Sequence, residues 1–183
     1  VTNAGTYIAG TKTVTITDVD GVAIDATDLS TIGALTAGTV TVTNAIVISG
    51  TESQVTDALV TDASKVVVSD AVVTISDVDT TNLEVTDLSA IGALTSGIVT
   101  VSNAVVLTGT QAELEAALIT DDTKVVATSA NVTVEDAASI AELTAIDAVI
   151  ATMSYSTVAD VTANAVTNAG TYIAGTKTVT ITD

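Results

Sequence analysis

The chain has 183 residues, with 22 acidic side chains against four basic ones, for a formal net charge of −18. The basic residues are all lysines (Lys12, Lys65, Lys124 and Lys177), and there is no Arg, His, Cys, Pro, Trp or Phe. Without His or Cys the usual proton shuttles, thiol nucleophiles and zinc or haem ligands are missing. Without Arg, and with this charge, phosphate recognition is poorly served and nucleic acid is repelled.

The apolar share is 48%, ordinary for a folded protein. The apolar residues are mostly Val, Ala, Ile and Leu, and three Tyr supply the only rings. Such side chains suit a thin core between closely stacked layers. The apolar runs are too short to span a bilayer. The lack of an initiator Met and of a signal-peptide pattern reads as a chain that begins inside a longer or processed protein.

Repeats dominate the sequence. Residues 166–183 repeat residues 1–18 letter for letter (VTNAGTYIAGTKTVTITD), at an offset of 165. Inside that unit, residues 16–74 align without gaps on 75–133, with 32 identities in 59 positions. A third, shortened copy covers 134–180. Periods of this kind belong to solenoids or to strings of small domains.

In chain order, TKTVTIT at 11–17 predicts the first strand. A helix follows from Asp28, with Leu29, Ile32 and Leu35 on one face and Gly38 as its C-cap. Strands are predicted at 39–43 and 45–49. Thr51 and Gln54 form a capping box ahead of Val55, Ala58 and Leu59, which predicts a helix. Strands at 65–69 and 72–76 come next. The second copy repeats the series, with a helix from Asp87 to Gly97, strands at 98–102 and 104–108, and a capping box Thr110–Glu113. Strands at 124–128 and 131–135 follow, then a helix from Asp136 to about Ala148 and a strand at 177–182.

The helices recur at intervals that match one turn of a solenoid and are too close for sandwich domains. The expected fold is therefore one continuous repeat solenoid over 1–183. It would be mainly β with short helices and stacked parallel sheets, or alternatively a purely β-helical solenoid.

The runs SANVTVEDAASIAELTAIDA (129–148), TDLSTIGALTAGTVTV (27–42) and VVLTGTQAELEAAL (105–118) carry a resemblance. They resemble the Thr/Val/Ala/Asp-rich tandem repeats of very long secreted bacterial surface or fibre proteins, notably of cyanobacteria. The resemblance covers essentially the whole chain and implies an extracellular, fibrous or surface-layer role. Glycine-rich calcium repeats, frequent in such proteins, do not occur in this sequence.

Asp18-Val-Asp20 and Asp77-Val-Asp79 recur at matching strand ends. Alternate aspartates there could share a Ca²⁺ with turn carbonyls, or could simply form a solvated acidic turn. Thr11, Thr13, Thr15 and Thr17 alternate, as do Thr39, Thr41 and Thr43, in the manner of an ice-binding ladder. Val66–Val68 and Val125–Ala127 interrupt that pattern, so β-forming Thr on a solvated face is the simpler account. Ser64-Lys65 recurs as Thr123-Lys124, Thr11-Lys12 and Thr176-Lys177. A hydroxyl–lysine pair present in every copy suits structure better than a single active site. Asn131-Val-Thr133 matches an N-glycosylation acceptor. Paired carboxylates would also permit a glycosidase, but no Trp or Phe is present to stack a sugar.

The sequence thus points to a non-enzymatic structural segment of an extracellular filament or surface layer. Its expected partner is itself, end to end, with attachment to a cell through other parts of a longer chain. The alternative is a calcium-stiffened adhesin stalk, with Ca²⁺ at Asp18, Asp20, Asp77 and Asp79. No nucleic acid and no membrane span are expected.

Overall fold

The computed structural model describes residues 7–120 and 123–183. The chain is an α/β fold with parallel sheets and, among the described residues, six short helices. The helices are α1 (Ala26–Leu35), α2 (Glu52–Leu59), α3 (Val85–Gly92), α4 (Gln111–Leu118), α5 (Ile140–Asp147) and α6 (Thr162–Thr167). They set aside the purely β alternative. The first six residues of the eighteen-residue repeat lie outside the described residues.

Parallel strands run through the chain. β1 (Val14–Ile16), β3 (Val40–Val42) and β5 (Val66–Val67) form one sheet. A second joins β2 (Ala23–Asp25), β4 (Val47–Gly50), β6 (Val72–Ile75), β8 (Val99–Val101) and β10 (Val125–Val126). A third joins β7 (Asn82–Glu84), β9 (Val106–Gly109), β11 (Asn131–Val134) and β12 (Thr152–Tyr155). β13 (Thr157–Asp160) pairs with β14 (Thr178–Ile181). The register sets Val14 beside Val40 and Asn131 beside Thr152, so each strand meets its partner after one short pass of the chain.

Alternation along each strand puts one row of β-branched side chains inward. In the five-stranded sheet that row is Ile24, Ile48, Val73, Val99 and Val125. Leu29, Val55, Leu88, Ile91, Leu114, Leu143 and Ile146 of the helices meet these rows, and all seven are buried. Each such Leu or Ile contributes about 1.5–3 kcal/mol. The result is one narrow apolar seam along the chain.

All ten predicted strands are present, each of them shortened. Strands 23–25 and 82–84 were not expected, and they add a fifth strand to each 59-residue copy. β12, β13 and α6 were also not anticipated. They follow α5 in the order in which β8, β9 and α4 follow α3, and α6 is only six residues long.

Several helix boundaries differ from the expectation, and α1 and α3 begin at Ala26 and Val85, ahead of Asp28 and Asp87. Helix α5 starts at Ile140 and not at Asp136, because Ser139 and Glu142 form its capping box. Gly38 and Gly97 are not C-caps: α1 ends in an extended Thr36, with φ −124°. The two glycines answer to close packing. A Cβ on Gly38 would lie 2.4 Å from the Lys12 carbonyl oxygen, and one on Gly97 would lie 2.2 Å from that of Ala71.

Candidate functional site

The most regular polar arrangement is the Asp-Val-Asp turn, which occurs twice with nearly the same bonds. The Asn44 side-chain amide donates to the Asp18 carbonyl at 2.7 Å, and Asn103 donates to that of Asp77 at 2.6 Å. The Ala45 amide donates to Asp20 Oδ1 at 3.1 Å, and the Ala104 amide to Asp79 Oδ1 at 2.9 Å. Gly21 and Thr80 then donate to the carbonyls of Ala45 and Ala104, both at 2.9 Å. Each turn is thereby fastened to the Asn-Ala segment of the next pass of the chain.

The turn needs a left-handed residue after the second Asp. Gly21 supplies it in the first copy with φ 78°. Thr80 takes the same conformation in the second, at φ 68°, which strains a β-branched residue.

A second set of carboxylates reaches backward to helix starts. Asp77 Oδ2 accepts from the Glu52 amide at 2.6 Å, and Asp136 Oδ1 from the Gln111 amide at 2.7 Å. Asp160 Oδ2 accepts from the Ile140 amide at 3.0 Å, and Asp183 Oδ1 from the Thr162 amide at 3.0 Å. In each case the donor is the first residue of a helix (α2, α4, α5 or α6). That amide has no partner within its helix and sits at the positive end of the helix dipole. The carboxylate from the following pass supplies the missing acceptor and the favourable charge. Sequence reading missed this arrangement, although its signal was present: Asp77 and Asp136 both stand 25 residues beyond a helix start.

Around Asp77 the carboxylates crowd. Glu52 is half-buried, hydrogen-bonds Asp87 and also faces Asp77. Loss of solvent, then the Asp87 bond and the repulsion of both aspartates, push its carboxyl up to about 7. Asp160 is buried and moves the other way, because the Asn164 side chain and the amides of Ile140 and Val161 stabilise its charge. Glu113 is likewise held below its ordinary value by bonds from Thr110.

Of the four aspartates singled out for calcium, Asp20, Asp77 and Asp79 have carboxylates engaged with backbone amides of neighbouring passes. Among the described residues no group of three or more acidic side chains is placed to hold a metal ion. The threonine rows are short: Thr15 and Thr41 are followed by Val67, and Thr74 and Thr100 by Val126.

In the hydroxyl–lysine pairs, described hydroxyls and ammonium groups bond backbone carbonyls. Ser64 Oγ donates to the Thr61 carbonyl at 2.9 Å, and Thr123 Oγ1 to that of Ala117 at 2.7 Å. The ammonium groups of Lys12, Lys65 and Lys177 bond the carbonyls of Ala9, Ala63 and Tyr155. Asn131 of the glycosylation motif lies within β11 and accepts a bond from the Thr152 hydroxyl. Among the described residues no helix is long and apolar enough to cross a membrane.

No family model, no curated protein and no solved structure matches this chain.

Proposed function

We propose that the chain is a solenoid segment of an extracellular filament or surface layer, a structural element that assembles with itself end to end. The observation that carries this reading is the succession of parallel partners from β1 to β14, fastened at its turns by Asp and Asn side chains of neighbouring passes. Pass after pass pairs with the next in the same parallel sense, as a repeat array requires. Ser64, Thr123, Lys12, Lys65 and Lys177 have their polar ends on backbone carbonyls.

In this reading each pass, such as the one from Val14 to Val40, is a coil with three sides, two of strand and one of helix. The extra strands β2 and β7 then have a purpose. β5, β6 and β7 follow one another with no helix between them, so that this coil is all strand and the helical side moves on by one place. The Thr95 hydroxyl, just after α3, donates to the Ala71 carbonyl between β5 and β6, which fits α3 lying over β5. Asp136 bonds the start of α4 and Ala138, two residues on, bridges to Val158, which fits the 136–138 segment lying over α4 and β13 lying over that segment. The side that begins with β1 therefore returns to strand at β13 and β14.

An extracellular setting rests on the resemblance to secreted tandem-repeat proteins and on the high acidic charge, which keeps a thin rod soluble. Because Asp20, Asp77 and Asp79 bond amides, the plain structural role is favoured over a calcium-stiffened stalk. Electron microscopy and sedimentation of the full chain test the proposal. Unbranched fibres that lengthen with concentration are expected. A compact particle that stays monomeric at high concentration would refute it.

A further inference from the structure

The repeated segment is seen in two settings. Its first copy has chain above it. Ile16 is 9% exposed, the Val14 amide donates to the Thr39 carbonyl at 2.9 Å, and Val14, Thr15 and Ile16 pair with Val40, Thr41 and Val42. Its second copy has chain below it. Thr178 to Ile181 pair with Thr157 to Asp160, the Tyr155 hydroxyl donates to the Tyr172 carbonyl at 2.7 Å, and Lys177 Nζ lies 4.2 Å from the Tyr155 ring centre. What each copy lacks, the other has. Ile181, the counterpart of Ile16, is 49% exposed. Tyr7, the counterpart of the half-buried Tyr172, is 71% exposed.

We propose that the face formed by β14 and Asp183 is a docking surface for a second copy of residues 19–50 of this same sequence, entering after Asp183 as residues 19–50 enter after Asp18. The proposal rests on the end-to-end reading above and names its interface. The argument is continuity: β14 already continues the ladder from β13, and the same residues, as β1, already continue it to β3. At the join, the Val179 amide meets the carbonyl that corresponds to Thr39. Val179 and Ile181 take the strand that corresponds to Val40–Val42. The capping bond from Asp183 to the Thr162 amide is then the bond that Asp18 makes to the copy before it.

The same geometry accounts for the length of the exact repeat. The helical side moves once in each of the three inner copies, and three moves around a three-sided coil bring it back to its starting place. The inner copy at 75–133 is rotated by one side relative to that at 16–74. The segment at 166–183 is in register with 1–18, and there the two sequences become identical.

The experiment extends the full chain, after Asp183, with a second copy of residues 19–183. Amide hydrogen exchange is then followed at Val14, Val179 and Ile181 in the single and the extended chains. In the single chain Val179 and Ile181 lie on an open edge and should exchange quickly. In the extended chain their exchange should slow by about a hundredfold or more, towards that of Val14. An extended chain carrying Ile181→Asp should lose this protection while Val14 keeps its own. Unchanged exchange at Val179 in the extended chain would overturn the junction, as would protection that survives Ile181→Asp. Fibres grown with Val179 still unprotected would leave the filament reading standing and remove this junction. Protection at Val179 without fibres would do the reverse.

Discussion

The carboxylate of Asp77 accepts a hydrogen bond from the backbone amide of Glu52 at 2.6 Å, across 25 residues of chain. It caps a helix that belongs to the preceding pass. Local caps hold a helix to its own sequence, whereas this one also holds neighbouring passes together. Asp136, on Gln111, repeats it. Replacing Asp77 or Asp136 with Ala should cost about 1–2 kcal/mol each, the range for loss of a helix cap with a favourable charge. Chemical denaturation would measure it. Replacement with Asn should cost less, since the acceptor remains and only the charge is lost.

Thr80 and Gly21 hold the same left-handed turn with different residues. Thr80→Gly should stabilise the protein by about 0.5–1 kcal/mol, because relief of strain outweighs the added freedom of the unfolded chain. Gly21→Thr should destabilise it by a similar amount. Thermal melts of the two variants should move in opposite directions.

Glu52 gives the stability a characteristic pH dependence. Its folded value, about 7, lies above the ordinary 4.5, so between these the folded chain holds a proton that the unfolded chain has released. That contribution is fully present below the ordinary value and is lost as pH rises through about 7. Glu52→Gln should abolish this decline and leave a flatter profile between these two values. Asp160 acts in the opposite sense: its lowered value contributes stability above the ordinary carboxylate range that is lost in acid. Asp160→Asn should therefore weaken the protein at neutral pH and reduce the loss on acidification. Denaturant midpoints across the pH range read both.

Gly97 lies against the Ala71 carbonyl with no room for a methyl group. Gly97→Ala should destabilise by about 1–3 kcal/mol through displaced backbone. Gly170, where an added Cβ meets nothing within 4 Å, should accept Ala with little change. Comparing the two melts separates packing from loss of chain flexibility.

These particulars show which parts of the fold can be read from sequence. The capping boxes at Thr51 and Thr110 announce α2 and α4, because the cap and its reciprocal Gln or Glu are three residues apart. The β-branched runs locate the strands for the same local reason. Gly38 and Gly97 were misread because a glycine after a helix signals a left-handed cap. Their requirement comes instead from the carbonyls of Lys12 and Ala71, which belong to the preceding pass. Strands 23–25 and 82–84 are three residues long, and only their partners mark them as strands. Asp18, Asp20, Asp77 and Asp79 suggested a cation because alternate aspartates at a strand end point to the same side. One carboxylate oxygen each of Asp20, Asp77 and Asp79 accepts from an amide that is distant in sequence, a contact with no local signal.

Fibre diffraction or helical reconstruction of the assembled filament tests the central claim most directly. Stacked parallel strands place layers about 4.8 Å apart along the axis. Seven layers to each 165-residue unit then give an axial repeat of about 34 Å. Both spacings along the fibre axis are the predicted result. A strand spacing perpendicular to the axis, or a unit repeat far from that length, would contradict the end-to-end solenoid.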